Sequence, residues 1–138
     1  MVGESYVELN GVRQWVRVVG DLRGLPRIVL LGISFGGDLA AEYTVVYPDR
    51  VAGLILQGTA LAAEPPRRVP LVDELAALEV RVLVLVGFWD RNAGVDACRD
   101  LATRLPQAQL HVFGESAHFP NVEEPDRYLA EIAAFTGG

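Results

Sequence analysis

From residue 27 to residue 135 the chain alternates short apolar runs with stretches of helical periodicity. The runs are Arg27–Leu31, Val51–Leu56, Val80–Val86 and Gln109–Phe113. The periodic stretches are Gly37–Tyr47, Leu71–Leu78, Val95–Leu105 and Asp126–Phe135. A short continuous apolar run reads as a strand buried on both faces. Strands separated by helices pair in parallel through right-handed crossovers. The fold class predicted is therefore α/β, a mostly parallel sheet of about six strands with flanking helices. An N-terminal antiparallel hairpin is read from Tyr6–Leu9 and Gln14–Val19, because Asn10-Gly11 between them suits the positive φ of a two-residue turn. Pro48 and Pro106 close the helices before them. Thr59–Pro70 and Glu115–Pro125 read as loops. The 138 residues are expected to form a single domain, 1–138.

Composition removes several function classes. The net charge is −6, which argues against a nucleic-acid partner, since such proteins carry a basic face. All twelve basic residues are Arg, so chemistry that needs a lysine is excluded. A single cysteine, Cys98, rules out an internal disulfide and a cysteine-rich metal centre. With two histidines and no HExxH pattern, no metal is expected, and no other cofactor. The apolar runs are far shorter than the ~20 residues that span a bilayer, and residues 1–11 do not form a basic-then-apolar leader. No membrane contact and a cytoplasmic location are the expectations.

The chemistry-bearing pattern is Gly32-Ile33-Ser34-Phe35-Gly36, a G-x-S-x-G match between a strand and a helix. A serine there sits on a strained turn with its oxygen above the sheet. Small residues at 32 and 36 let strand and helix backbones approach, and the helix start supplies N–H groups for a developing anion. A bland alternative is a glycine-rich turn whose serine only caps the helix. A serine nucleophile needs a base and an orienting acid. His118 follows the strand Gln109–Phe113 by a short loop, whereas His111 lies within that strand and reads as structural. Asp90 follows Val80–Val86, while Asp96 and Asp100 belong to a polar helix face. Ser34, Asp90 and His118 thus each lie just past the C-terminal end of a different predicted strand, the edge at which open α/β sheets bind ligands.

With these residues in that order, the sequence resembles the α/β-hydrolase superfamily, on the side of small serine esterases and proline-iminopeptidase-like enzymes. The resemblance is carried by RIVLLGISFGGDLAAEYTVVYPDRVAGLILQG, by VLVLVGFWDRN and by LHVFGESAHFPNVEEPDRYLAEIAAF. It implies a nucleophile at Ser34, a proton carrier at His118, an orienting acid at Asp90 and a first oxyanion donor in the Phe35 N–H. Phe35, Trp89 and Phe119 are the expected apolar substrate contacts. The chain departs from the family by shortening. The strand and loop that carry the second oxyanion donor are missing, and the cap is reduced to Thr59–Glu79. A backbone N–H from Gly20–Gly24 is the substitute donor considered. The reading is an esterase of small carboxylic esters using an acyl-enzyme, with an impaired hydrolase-like scaffold or binding module as the alternative. Either a rearranged six-stranded sheet or a homodimer through an exposed sheet edge is expected to cover the nucleophile strand. A nucleotide-binding reading fails because the glycines lack G-x-G-x-x-G spacing.

Overall fold

The computed structural model describes residues 2–9, 12–19, 27–61 and 69–137. Val2–Leu9 (β1) and Val12–Val19 (β2) pair antiparallel with each other, from Val2 opposite Val19 to Leu9 opposite Val12. Asn10 and Gly11, on which the turn was placed, lie outside the described residues. Four further strands follow: Ile28–Ile33 (β3), Val51–Gln57 (β4), Arg81–Gly87 (β5) and Ala108–Phe113 (β6). They form one parallel sheet in the order β3-β4-β5-β6. The expected sheet of about six strands is therefore corrected. Among the described residues the parallel sheet has four, and β1 and β2 make a separate two-stranded sheet. The physical reason is that strands close in sequence can pair antiparallel with each other locally, whereas joining the parallel sheet requires pairing with a more distant segment.

The connections are Phe35–Val46 (α1) with a 3-10 turn at Pro48–Arg50, then Leu71–Ala76 (α2), and Val95–Arg104 (α3). After β6 come Pro120–Glu123 (α4) and Pro125–Thr136 (α5). The short α4 lies within Glu115–Pro125, which the sequence marked as loop. A proline at its first position and another opening α5 both suit helix starts.

Alternation along the strands sorts the core into two layers. Leu54, Leu56, Val82, Val84 and Val86 pack with Ala41, Leu71, Leu75, Cys98 and Leu101 from α1, α2 and α3. Ile55, Leu83, Leu85 and Phe113 pack against Tyr128 and Phe135 of α5. Each such aliphatic side chain, fully buried, contributes about 1.5–3 kcal/mol relative to exposure. Strand β3 is an edge of the four-stranded sheet, and its Val29 and Leu31 are exposed.

One helix face differs from expectation. The helical spacing of Gly37–Tyr47 rests on Leu39, Ala40, Tyr43, Val46 and Tyr47 as one apolar stripe, of which Ala40 and Tyr43 pack against the core. However, Gly37, Ala41 and Thr44 are buried, while Val46 and Tyr47 are exposed. Small residues let α1 lie close to the sheet. The Thr44 hydroxyl is satisfied by donating to the Ala40 carbonyl at 2.7 Å.

Candidate active site

Ser34 occupies the single turn between β3 and α1 with φ 52° and ψ −127°. A non-glycine residue at positive φ stores strain that the surroundings must hold in place. Here the Ser34 N–H donates to the Gln57 carbonyl at 2.7 Å, and the Gly37 N–H donates to the Ser34 carbonyl at 2.8 Å. A Cβ on Gly32 would collide with the Gly36 and Gly37 backbone, so that position demands glycine. Gly36 faces open space, whereas a Cβ on Gly37 would strike the Thr59 side chain. Of the two small positions read from the motif, residue 32 has the steric reason. The second such reason falls on Gly37 rather than Gly36.

Asp90 follows β5 and is only 5 % exposed. One carboxylate oxygen, Oδ1, accepts the N–H of Asn92 at 2.8 Å and of Ala93 at 3.1 Å. The other, Oδ2, lies 2.9 Å from His118 Nδ1. An ionised carboxylate only accepts, so the proton of this bond sits on Nδ1. Nε2 keeps its lone pair and can take a proton from a nucleophile. His118 is largely buried and packs edge-on against the Phe119 ring. Gly58, at φ +59°, passes beneath the pair. A Cβ there would come within 2.9 Å of His118 Cε1 and 3.3 Å of Asp90 Oδ2.

The loop carrying His118 is held from both sides. Phe88 N–H donates to the Phe113 carbonyl at 2.8 Å, and Trp89 N–H to the Ser116 carbonyl at 3.0 Å. Gly87 has no room for a Cβ because the Ser116 and Ala117 carbonyls occupy that space. On the other side, Glu124 Oε2 accepts the Ser116 hydroxyl at 2.5 Å and the Glu115 N–H at 3.1 Å, and Glu123 accepts the Ala117 N–H. The hydroxyl of Ser116, aided by the Glu115 N–H and Arg127, holds the Glu124 carboxyl below its ordinary value.

Ser34 and Phe35 line an open cavity of about 270 Å³, together with Asp38, Gly58, Thr59, Asn92 and Ala97. Among the described residues no hydrogen bond joins Ser34 to His118. Catalytic bonds are often long before substrate binds. Gly58 lies between the two halves, since it borders the cavity and has no room for a Cβ beside the His118–Asp90 pair. Of the three expected substrate contacts, Phe35 borders this cavity, while Trp89 and Phe119 are exposed outside its lining. Gly20–Gly24, considered for the second oxyanion donor, lies outside the described residues. Sequence reasoning passed over Gly58, Asp38 and Thr59, which carry no motif. It also passed over Gln57, whose only signal is a polar residue closing an apolar run.

His111 and Asp96, set aside in the sequence, have structural partners. His111 Nδ1 lies 2.8 Å from Glu131, and Asp96 pairs with Arg99 at 2.8 Å. The Cys98 thiol is pushed up to about 11, by burial first and by the Asp90 charge second, so it stays protonated and inert. Among the described residues no cluster of His, Cys, Asp or Glu suits a metal ion, and no helix is long and apolar enough to cross a membrane.

Comparison with known proteins places this geometry in a family. A curated relative, the 2-hydroxymuconate semialdehyde hydrolase of Pseudomonas putida, is 24% identical, covering 95% of this chain and 69% of its own. The pimeloyl-[acyl-carrier protein] methyl ester esterase of Vibrio vulnificus is 30% identical over 60% of this chain and 31% of its own. Among solved structures, a thermophilic esterase from Thermogutta terrifontis superposes with a TM-score of 0.74 at 23% identity, over 80% of this chain and 65% of the esterase. A predicted CIB-like hydrolase from Thermoplasma acidophilum gives 0.70 at 23% identity, over 82% of this chain and 52% of the other. The chain thus spans about half to two-thirds of these two structures. A family profile described as alpha/beta hydrolase fold matches residues 8–94, more than half the sequence, and the chain belongs to that family.

Proposed function

We propose that the protein is a serine hydrolase of small carboxylic esters, working through an acyl-enzyme. The observation that carries this reading is the 2.9 Å contact of His118 with Asp90 at the sheet edge that also presents Ser34 on its strained turn. Relatives named as esterases favour an ester substrate, and a relative named as a semialdehyde hydrolase keeps other hydrolytic chemistry in view.

In the first half-reaction, Ser34 Oγ bonds to the ester carbonyl carbon while its proton passes to His118 Nε2. The carbonyl oxygen becomes an oxyanion that faces the Phe35 N–H. The bond to the alkoxy oxygen then breaks, and His118 returns the proton to the departing alcohol. In the second, water adds to the acyl carbon as His118 takes its proton. The bond to Ser34 Oγ breaks, the proton returns to that oxygen, and the acid leaves. Asp90 balances the imidazolium in each step. If Gly20–Gly24 supplies no second oxyanion donor, turnover is expected to be about 10²–10³ below that of a complete site.

The test is hydrolysis of p-nitrophenyl acetate and butyrate by the intact protein and by Ser34→Ala, both confirmed folded. Loss of all turnover above background in the variant is the expected result. Equal rates would leave the hydrolase-like scaffold or binding module as the account of this chain.

A further inference from the structure

One fully buried polar side chain at the sheet edge takes no part in the proton transfers above. Gln57 is the last residue of β4, the strand between the one that leads to Ser34 and the one that leads to Asp90. Its carbonyl accepts the Ser34 N–H at 2.7 Å. Its side chain lies on the α5 face of the sheet. There Oε1 accepts the Tyr128 hydroxyl at 2.7 Å, and Nε2 donates to Asn121 Oδ1 at 2.8 Å. The same Nε2 reaches the His118 carbonyl at 3.4 Å. That carbonyl can only accept, so the amide must present its nitrogen to it.

We infer that Gln57 is a positioning residue that ties the nucleophile turn to the histidine loop, holding Ser34 through its main chain and His118 through its side chain. The inference rests on reading Ser34, Asp90 and His118 as one catalytic set. The imidazole is located by Asp90 on one nitrogen and by the Phe119 ring, with no room for a Cβ on Gly58 beside it. None of these fixes the His118 backbone, from which the ring hangs. Gln57 does, with Asn121 of α4 and Tyr128 of α5 fixing the amide in turn. A leucine or methionine would fill the same space, since the neighbours Ile55, Leu85 and Phe113 are apolar. An amide is useful here because both its ends are engaged.

The experiment uses Gln57→Met, which keeps length and burial but bonds to nothing, and Gln57→Glu, which keeps shape and the Tyr128 bond but loses the donor. Two readouts are taken on folded protein. The first is ester turnover, where kcat is expected to fall about 10–100-fold as the ring drifts, with KM moving less than ~2-fold. The second is the low-field proton resonance of His118 Nδ1, assigned with a His111→Gln variant that removes the other ring facing a carboxylate. It is expected to be sharp in the intact protein and broadened by exchange with water in both variants. A variant that only lowers the melting temperature, leaving kcat and the resonance intact, overturns the inference. If Gln57→Met does not fold, Gln57→Glu decides by the same criteria. If the intact protein shows no Ser34-dependent turnover, the hydrolase reading fails. The resonance still decides whether Gln57 holds His118 on Asp90.

Discussion

At the scale of single residues, the site depends on places where a side chain would do harm. Gly58 combines a left-handed φ with no room for a Cβ beside the His118 ring. Gly58→Ala is expected to lower kcat on p-nitrophenyl butyrate by roughly 10²-fold, because its Cβ displaces the imidazole from Asp90. Gly137→Ala separates strain from collision: its φ is +80°, yet a Cβ there meets nothing. That variant is expected to lose about 1 kcal/mol or less in a thermal melt and no activity. Equal kinetics for the two variants would refute the steric account. Ser34, Asp90 and His118 stood out as candidates in the sequence because each follows a predicted strand and bears a reactive group. Gly58 and Gln57 did not. Their roles depend on what stands opposite them in a neighbouring element, and no local pattern records that.

At the scale of elements, the segment from β6 to α5 is a loop pinned by two consecutive carboxylates. Glu124 takes the Ser116 hydroxyl and the Glu115 N–H, and its carboxyl is held below the ordinary 4.5 chiefly by that hydroxyl. A carboxyl depressed in the folded state adds stability that is complete above its unfolded value and is lost as pH falls through the folded one. Glu124→Gln is therefore expected to be less stable than the intact protein in urea melts at neutral pH, with the gap closing as pH falls below 4.5. A gap that stays constant with pH would show that the carboxylate charge is not what clamps the loop. The alternation of strand and helix was plain in the sequence from residue 27, as was the inner face of α3, with Cys98, Leu101 and Leu105 buried. The face of α1 was misread because hydrophobicity marked Val46 and Tyr47, while close approach to the sheet selects the small Gly37, Ala41 and Thr44. In α5 the spacing allows either Tyr128 or Leu129 to face inward with Ile132 and Phe135; Tyr128 is buried and Leu129 exposed.

At the scale of the whole molecule, two features meet at β3. Its residues pair with β4 on one side, and Val29 and Leu31 are exposed, the latter at 47 %. We propose that a second copy of the chain covers this edge, since an apolar edge strand invites pairing. Light scattering at micromolar concentration is expected to give the mass of two chains, and Leu31→Lys that of one. A single-chain mass for the intact protein would remove the dimer. The strand count shows where sequence reading stops. Six strands could be counted from the pattern, but which of them share hydrogen bonds is decided by geometry between distant segments. The order β3-β4-β5-β6 is also the order of synthesis. Each strand finds its neighbour already made, so the sheet can grow one way from its nucleophile edge as the chain emerges from the ribosome. Ser34 and Asp90 are both made before His118, which follows the last strand. On the proposed function, a nascent chain would carry a serine without its base until β6 and the loop beyond it are in place, so gaining the base would coincide with completing the four-stranded sheet.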